Sequence, residues 1–178
     1  FISCCMEEVK NKLSISILGS GKMRGHFMDK YLNPRDVHMG YCDIKFGGLT
    51  LNLNDIEYDI HFQELLTLEY LKPIKNTILR SVNAIMILID PSDTTCFDNL
   101  VEEINSYKSI SGDIPLVLVF VNCDDESMLN IPSSVSEEIT CVHPVPVNDQ
   151  ESFDLLIKRV SCIALSLPDP MHSNAKSA

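Results

Sequence analysis

Residues 12–32 read KLSISILGSGKMRGHFMDKYL. Leu13, Ile15, Ile17 and Leu18 form a short apolar run in which Ser14 and Ser16 alternate, the period of a strand. The turn Gly19-Ser20-Gly21-Lys22-Met23-Arg24-Gly25 follows, and then Phe27, Met28, Tyr31 and Leu32 at helical spacing. Strand, glycine-rich turn and helix make the layout of a phosphate-binding loop, in which backbone N–H groups and a helix N-terminus face an anion. The functional pattern of such a loop is GxxxxGK[ST], and no register satisfies it. With Gly21-Lys22 as the GK pair, Ser16 stands where the first glycine belongs and Met23 where the magnesium-binding hydroxyl belongs. Counting from Gly19 puts Arg24 and Gly25 at the GK positions and His26 at the hydroxyl position. The layout of the cradle is present and its chemistry is not.

Working outward, the first strand is expected over 12–18 and the first helix over 25–32, stopped by Asn33-Pro34. A polar connector over 35–43 leads to a hairpin. Leu49, Leu51 and Leu53 alternate with polar residues, Asn54-Asp55 turns, and Ile56, Tyr58, Ile60 and Phe62 alternate again. Glu64 to Arg80 has helical spacing, with a break expected at Pro73. Two continuous apolar runs, VNAIMILI at 82–89 and PLVLVFV at 115–121, read as strands buried on both faces. Between them Phe97, Leu100, Val101, Ile104 and Tyr107 form a helical stripe with Asp93 or Thr94 as its cap. A last strand over 139–145 precedes a helix opening at Asn148 with Glu151 as a capping box. This alternation predicts an α/β, three-layer, mostly parallel six-stranded sheet with one antiparallel edge hairpin. The divisions expected are an N-terminal extension (1–11), one domain (12–167) and a disordered tail (168–178).

Charge and cysteine usage restrict function. The 178 residues carry 14 Lys and Arg against 25 Asp and Glu, a net charge of -11, which disfavours nucleic acid and anionic membrane as partners. Seven cysteines show no CxxC or Cys/His ligand spacing, so reduced thiols in a cytoplasmic protein are expected, with no metal site. The apolar runs are too short to span a bilayer. Cys123 and His143 offer a nucleophile and a base but no third group, and no GxSxG elbow exists, so no catalytic residues are assigned. Asp124-Asp125 is like the acid pair of a receiver domain, but such a pair follows the first strand, where this chain has Gly19-Ser20.

The order of these pieces resembles the small GTPases of the Ras superfamily, the Rab branch most closely. ILGSGKMRGHFMDKYLNPR is similar to that family's first strand, phosphate loop and first helix, and LTLNLNDIEYDIHF to its hairpin. SVNAIMILIDPSDTTCFDNL resembles its fourth strand and following helix, and LVLVFVNCDDE its guanine-reading strand and NKxD motif. The resemblance implies a P-loop NTPase fold, a vesicle-trafficking setting and a vestigial nucleotide site at Gly19, Ser20, Gly21, Lys22, Arg24, Gly25, His26, Asn122 and Asp125. The motifs that would work the site diverge. No threonine occurs in 33–48, and no glycine between Gly48 and Gly112, so DxxG is impossible and Phe62-Gln63-Glu64-Leu65 stands there instead. Cys123 replaces the NKxD lysine, and His143-Pro144-Val145-Pro146 bears no likeness to an SAK loop.

The resulting expectation is a pseudo-GTPase: a protein-interaction or scaffold module using the 44–62 hairpin and switch-equivalent segments, with no cofactor. The alternatives are an atypical GTPase that binds GTP or GDP weakly, or one half of a tandem G-domain protein. With Cys162 the last cysteine, no prenyl anchor is expected. The separating feature is whether Lys22 or Arg24 converges with Asn122 and Asp125 on one pocket.

Overall fold

The computed structural model describes residues 11–39, 42–65, 72–125 and 130–171. In chain order the elements are β1 (Asn11–Leu18), α1 (Gly21–Tyr31), β2 (Arg35–Met39), β3 (Cys42–Leu53), β4 (Ile56–Glu64) and α2 (Lys72–Ser81). There follow β5 (Ala84–Ile89), α3 (Leu100–Ser111), β6 (Leu116–Val121), α4 (Ser133–Ser136), β7 (Cys141–Val145) and α5 (Gln150–Ala164). One sheet runs β2-β3-β4-β1-β5-β6-β7. β4, β1, β5, β6 and β7 are mutually parallel, and β3 is antiparallel to both of its neighbours.

Every residue of β5 and β6 is buried, as their unbroken apolar runs require of strands covered on both faces. On one face α1 and α5 place Phe27, Met28, Phe153, Leu156 and Val160 over Ile15, Ile17, Phe62, Met86 and Val119. The Tyr31 ring stacks on Phe153 with centroids 4.4 Å apart. On the other face Leu79 of α2 and Leu100, Ile104 and Tyr107 of α3 cover Leu18, Ile85, Ile87 and Phe120. The architecture is therefore α/β in three layers. Because α1 leaves β1 on one face and α3 leaves β5 on the other, a crevice opens at the C-terminal ends of these two strands.

The hairpin forms as expected. Asn54 and Asp55 both adopt left-handed backbone (φ 52 and 66), the requirement of a type I′ turn, and Leu53 pairs with Ile56. The strand count differs: the sheet has seven strands, not six. Arg35–Met39, expected to be connector, pairs antiparallel with Cys42–Phe46. Hydropathy marks it only weakly, through Val37 and Met39, and across the pair Asp36 lies opposite Lys45, whose Nζ is 3.2 Å from Asp36 and 3.0 Å from Asp29 of α1. The edge beyond β3 is thus occupied over its first five residues, Cys42–Phe46.

Several boundaries also move. α1 starts at Gly21 rather than Gly25, and Glu64 ends β4 rather than opening a helix; residues 66–71 of that expected helix lie outside the described residues. α3 begins at Leu100, because Asp93 turns its carboxylate onto Thr95 (N at 2.9 Å, Oγ1 at 2.7 Å) and closes a turn before the helix. α5 is capped by Asp149, which accepts from Ser152 N at 3.1 Å, whereas Asn148 is left-handed and forms no capping box. Residues 168–171 of the expected tail are tied down by Asp169, 2.8 Å from the buried Arg159. Residues 1–10 and 172–178 lie outside the described residues.

Candidate functional site

Gly19 and Ser20 are the whole connection between β1 and α1. Gly19 has φ 149, a backbone conformation that favours glycine, and a Cβ there would press on β5, 3.1 Å from Leu88 Cβ. Ser20 Oγ accepts from Met23 N at 3.3 Å and Ser20 O accepts from Arg24 N at 2.9 Å. These bonds wind Gly21 to Arg24 into the first helical turn, so the residues expected to open as a phosphate loop are helix instead.

Arg24 is buried at the ends of β1 and β4. Its Nε donates to Glu64 Oε1 at 3.1 Å, and its Nη1 to the Gly19 carbonyl at 2.6 Å. Glu64 Oε2 accepts from the backbone N–H of Lys45 at 2.8 Å. Glu64 reaches this position because β4 pairs with β1 in the register Ile17↔Glu64. Two buried charges are thereby paired and hydrogen-bonded, the condition for charge inside a protein. Gly25 faces the β2–β3 side, where an added Cβ would lie 3.7 Å from Lys45 Cε. The Lys45 ammonium is held above its ordinary pKa, chiefly by Asp29.

On the other flank of α1 a cavity of about 330 Å³ is lined by Ser20, Lys22, His26 and Lys30, with Asn122, Val145 and Pro146 opposite. Asn122 follows β6 in left-handed conformation (φ 58). Cys123 turns inward, donating from Sγ to the Asp125 carbonyl at 3.3 Å, and Asp125 is not among the lining residues. Lys22 and Asn122 therefore converge on one cavity, and Arg24 and Asp125 do not. His143 is buried under α5 with Nε2 donating to the Ser152 carbonyl at 3.0 Å, while the Cys123 thiol is committed to Asp125; no Cys–His pair forms.

A second cavity, about 370 Å³, occupies the crevice at the ends of β1 and β5. Its charged lining is acidic: Asp90, Asp93, Asp98 and Glu103. Asp90 Oδ1 accepts from Ser92 N and Oγ at 2.9 and 2.7 Å. The hydrogen bonds from Thr95 lower the Asp93 pKa. Burial, reinforced by the Asp93 charge, pushes the Cys96 thiol up, so it is not a reactive thiolate. Among the described residues no group of His, Cys, Asp and Glu is placed to hold a metal.

Sequence reading missed Glu64 as the partner of Arg24, and missed Lys30. The second was legible, because Lys22, His26 and Lys30 are spaced four apart on one helix face. The first was not, since it depends on the register between β4 and β1. No helix of the described residues is long and apolar enough to cross a membrane. No protein-family model matches this chain, and no curated protein matches it.

Proposed function

We propose that this chain is a degenerate small-GTPase domain, Rab-like in its order of elements, that acts as a protein-interaction module and does not hydrolyse GTP. The observation that carries this reading is the Arg24–Glu64 pair. In the family that the sequence resembles, the end of this strand and the phosphate loop together hold magnesium and the terminal phosphate. Here an internal guanidinium and carboxylate neutralise each other at that junction, and the turn is closed into helix by Ser20. The partner surface is the 44–62 hairpin with its flanking segments. Among the described residues no strand pairs with the outer edge of β3 beyond Phe46, which leaves backbone donors and acceptors for an added strand.

The test is thermal melting with and without GTP, GDP and magnesium. A ligand that binds only the folded state at a hundredfold excess over Kd stabilises it by about 2.7 kcal/mol. Each kcal/mol moves the melting temperature of a domain this size by about 2–4 °C. A shift below about 2 °C is expected at millimolar nucleotide. A shift of several degrees that Asp125→Ala abolishes would replace this reading with that of a nucleotide-binding atypical GTPase.

A further inference from the structure

The face that α1 turns toward the ends of β6 and β7 carries two parallel rows. Lys22, His26 and Lys30 recur every four residues, and beside them Met23, Phe27 and Tyr31 recur at the same interval. Eight residues of helix rise about 12 Å, so the rows run the length of the cavity. The apolar row meets Val121, Val145 and Pro146 across the opening. The basic row forms the rim: Lys22, His26 and Lys30 are all exposed.

In a chain of net charge -11 this concentration of cations is out of proportion. Among the described residues neither Lys22 nor Lys30 forms an ion pair; Lys30 Nζ instead sits 5.0 Å over the Tyr31 ring. The single carboxylate in the lining, Asp90, already accepts two hydrogen bonds from Ser92 through Oδ1. Asn122 adds an uncharged amide that both donates and accepts.

We infer that this cavity binds a small organic anion: one phosphate or carboxylate group held at the rim by Lys22 and Lys30, with a compact apolar body against Phe27 and Pro146. A volume of about 330 Å³ lies at the low end of ligand pockets, about 300–1,000 Å³, which fits one ring and one anionic group. Ser20 of the β1–α1 turn lines the same cavity, whereas Arg24 is bonded to Glu64 and Gly19 and supplies it no cation. Recognition runs through side chains of a formed helix rather than loop amides, and it needs no metal. The site does not rest on the 44–62 hairpin as a partner surface, and of the outcomes below only nucleotide binding would overturn both readings.

The experiment is titration of the full chain, isotope-labelled for amide NMR, with phenyl phosphate, benzoate, inorganic phosphate and phenol. Phenyl phosphate is expected to give saturable shifts confined to α1 and the neighbourhood of Asn122, and to bind at least threefold tighter than inorganic phosphate, which lacks the apolar body. Phenol, which lacks the charge, should bind at least threefold more weakly than phenyl phosphate. Lys22→Gln and Lys30→Gln, exposed positions that leave the core untouched, should each weaken phenyl phosphate at least threefold. Lys72→Gln at the start of α2, on the opposite face, should not weaken it. The proposal is overturned by the absence of saturable shifts, by affinities unchanged in both lysine variants, or by GDP with magnesium binding tenfold tighter than phenyl phosphate. The last outcome would make the cavity part of a nucleotide site.

Discussion

Arg24 and Glu64, forty residues apart in sequence, meet as a buried ion pair at 3.1 Å where the first helix crosses the end of β4. Their side chains are 10% and 7% exposed, so neither charge is served by bulk water. The pair also gathers two backbone groups, the Gly19 carbonyl and the Lys45 N–H. It therefore fixes the β1–α1 turn, the root of β3 and the end of β4 to one another.

Removing one member leaves the other buried and uncompensated. Glu64→Gln or Arg24→Met is expected to destabilise the domain by about 3–5 kcal/mol. Because the desolvation of both charges is relieved together, Arg24→Met with Glu64→Leu should recover most of that loss. Urea unfolding of the three variants measures this. A single-variant loss under about 1 kcal/mol would mean that the pair is solvated in solution.

The two glycines that flank the basic rim and the hairpin should respond in opposite ways. A Cβ on Gly47 would lie 2.9 Å from Leu32 Cβ and 3.4 Å from Leu32 O, where the end of α1 rests on β3. Gly47→Ala should cost about 1–3 kcal/mol through overpacking. Gly25 lies inside α1 with only Lys45 Cε at 3.7 Å, an ordinary contact. Gly25→Ala should stabilise by about 0.5–1 kcal/mol because alanine loses less backbone entropy in a helix. Melting temperatures that move in the same direction for both would contradict this placement.

The partner surface should be constitutive, since Glu64 and Arg24 hold the hairpin root through an internal pair rather than through a ligand. Any protein captured on the 44–62 hairpin is expected to bind equally in the presence of GDP and of a GTP analogue. A tenfold difference in Kd, about 1.4 kcal/mol, would show that the surface is switched.

The layers and most elements were legible because their signals are local. The unbroken runs at 84–89 and 116–121 announce strands covered on both faces, and Asn54-Asp55 between alternating runs announces the hairpin. β2 was not legible, because RDVHM offers only two apolar residues, Val37 and Met39, too short an alternation to stand out, and its pairing includes the Asp36–Lys45 contact across strands. At the site, Lys22, His26, Ser20 and Asn122 do line one cavity. The partner of Arg24, one of the vestigial candidates, was hidden for a long-range reason: the β1–β4 register brings Glu64 beside it, and no local pattern encodes that register.

His143 supplies a pH dependence whose sign is fixed by its surroundings. The ring is 2% exposed beneath α5, and Nε2 donates to the Ser152 carbonyl at 3.0 Å, which makes Nδ1 the unprotonated nitrogen. Nδ1 has no hydrogen-bond partner among the described residues, so a proton placed there would find no acceptor. Burial holds the His143 pKa below its ordinary value, against the smaller raising effect of the Ser152 hydrogen bond; the Arg159 guanidinium lowers it further and Asp169 raises it, both by less. Above about pH 7.5, a unit over the ordinary histidine pKa, the ring is almost wholly neutral in both folded and unfolded chains and contributes almost no pH dependence. Below that value the unfolded chain takes up a proton that the folded chain refuses, so stability should fall as the pH falls, by up to about 1.4 kcal/mol per pH unit. The hydrogen-bonded carboxyls of Asp93 and Asp149, both with lowered pKa, begin to act only at more acid pH, which leaves the interval from about pH 5 to 6.5 to histidine. Urea unfolding across that interval should show the decline in the parent protein. In His143→Gln, which keeps a donor for Ser152 but cannot titrate, the curve should flatten. An equal slope in both proteins would assign the dependence to another group.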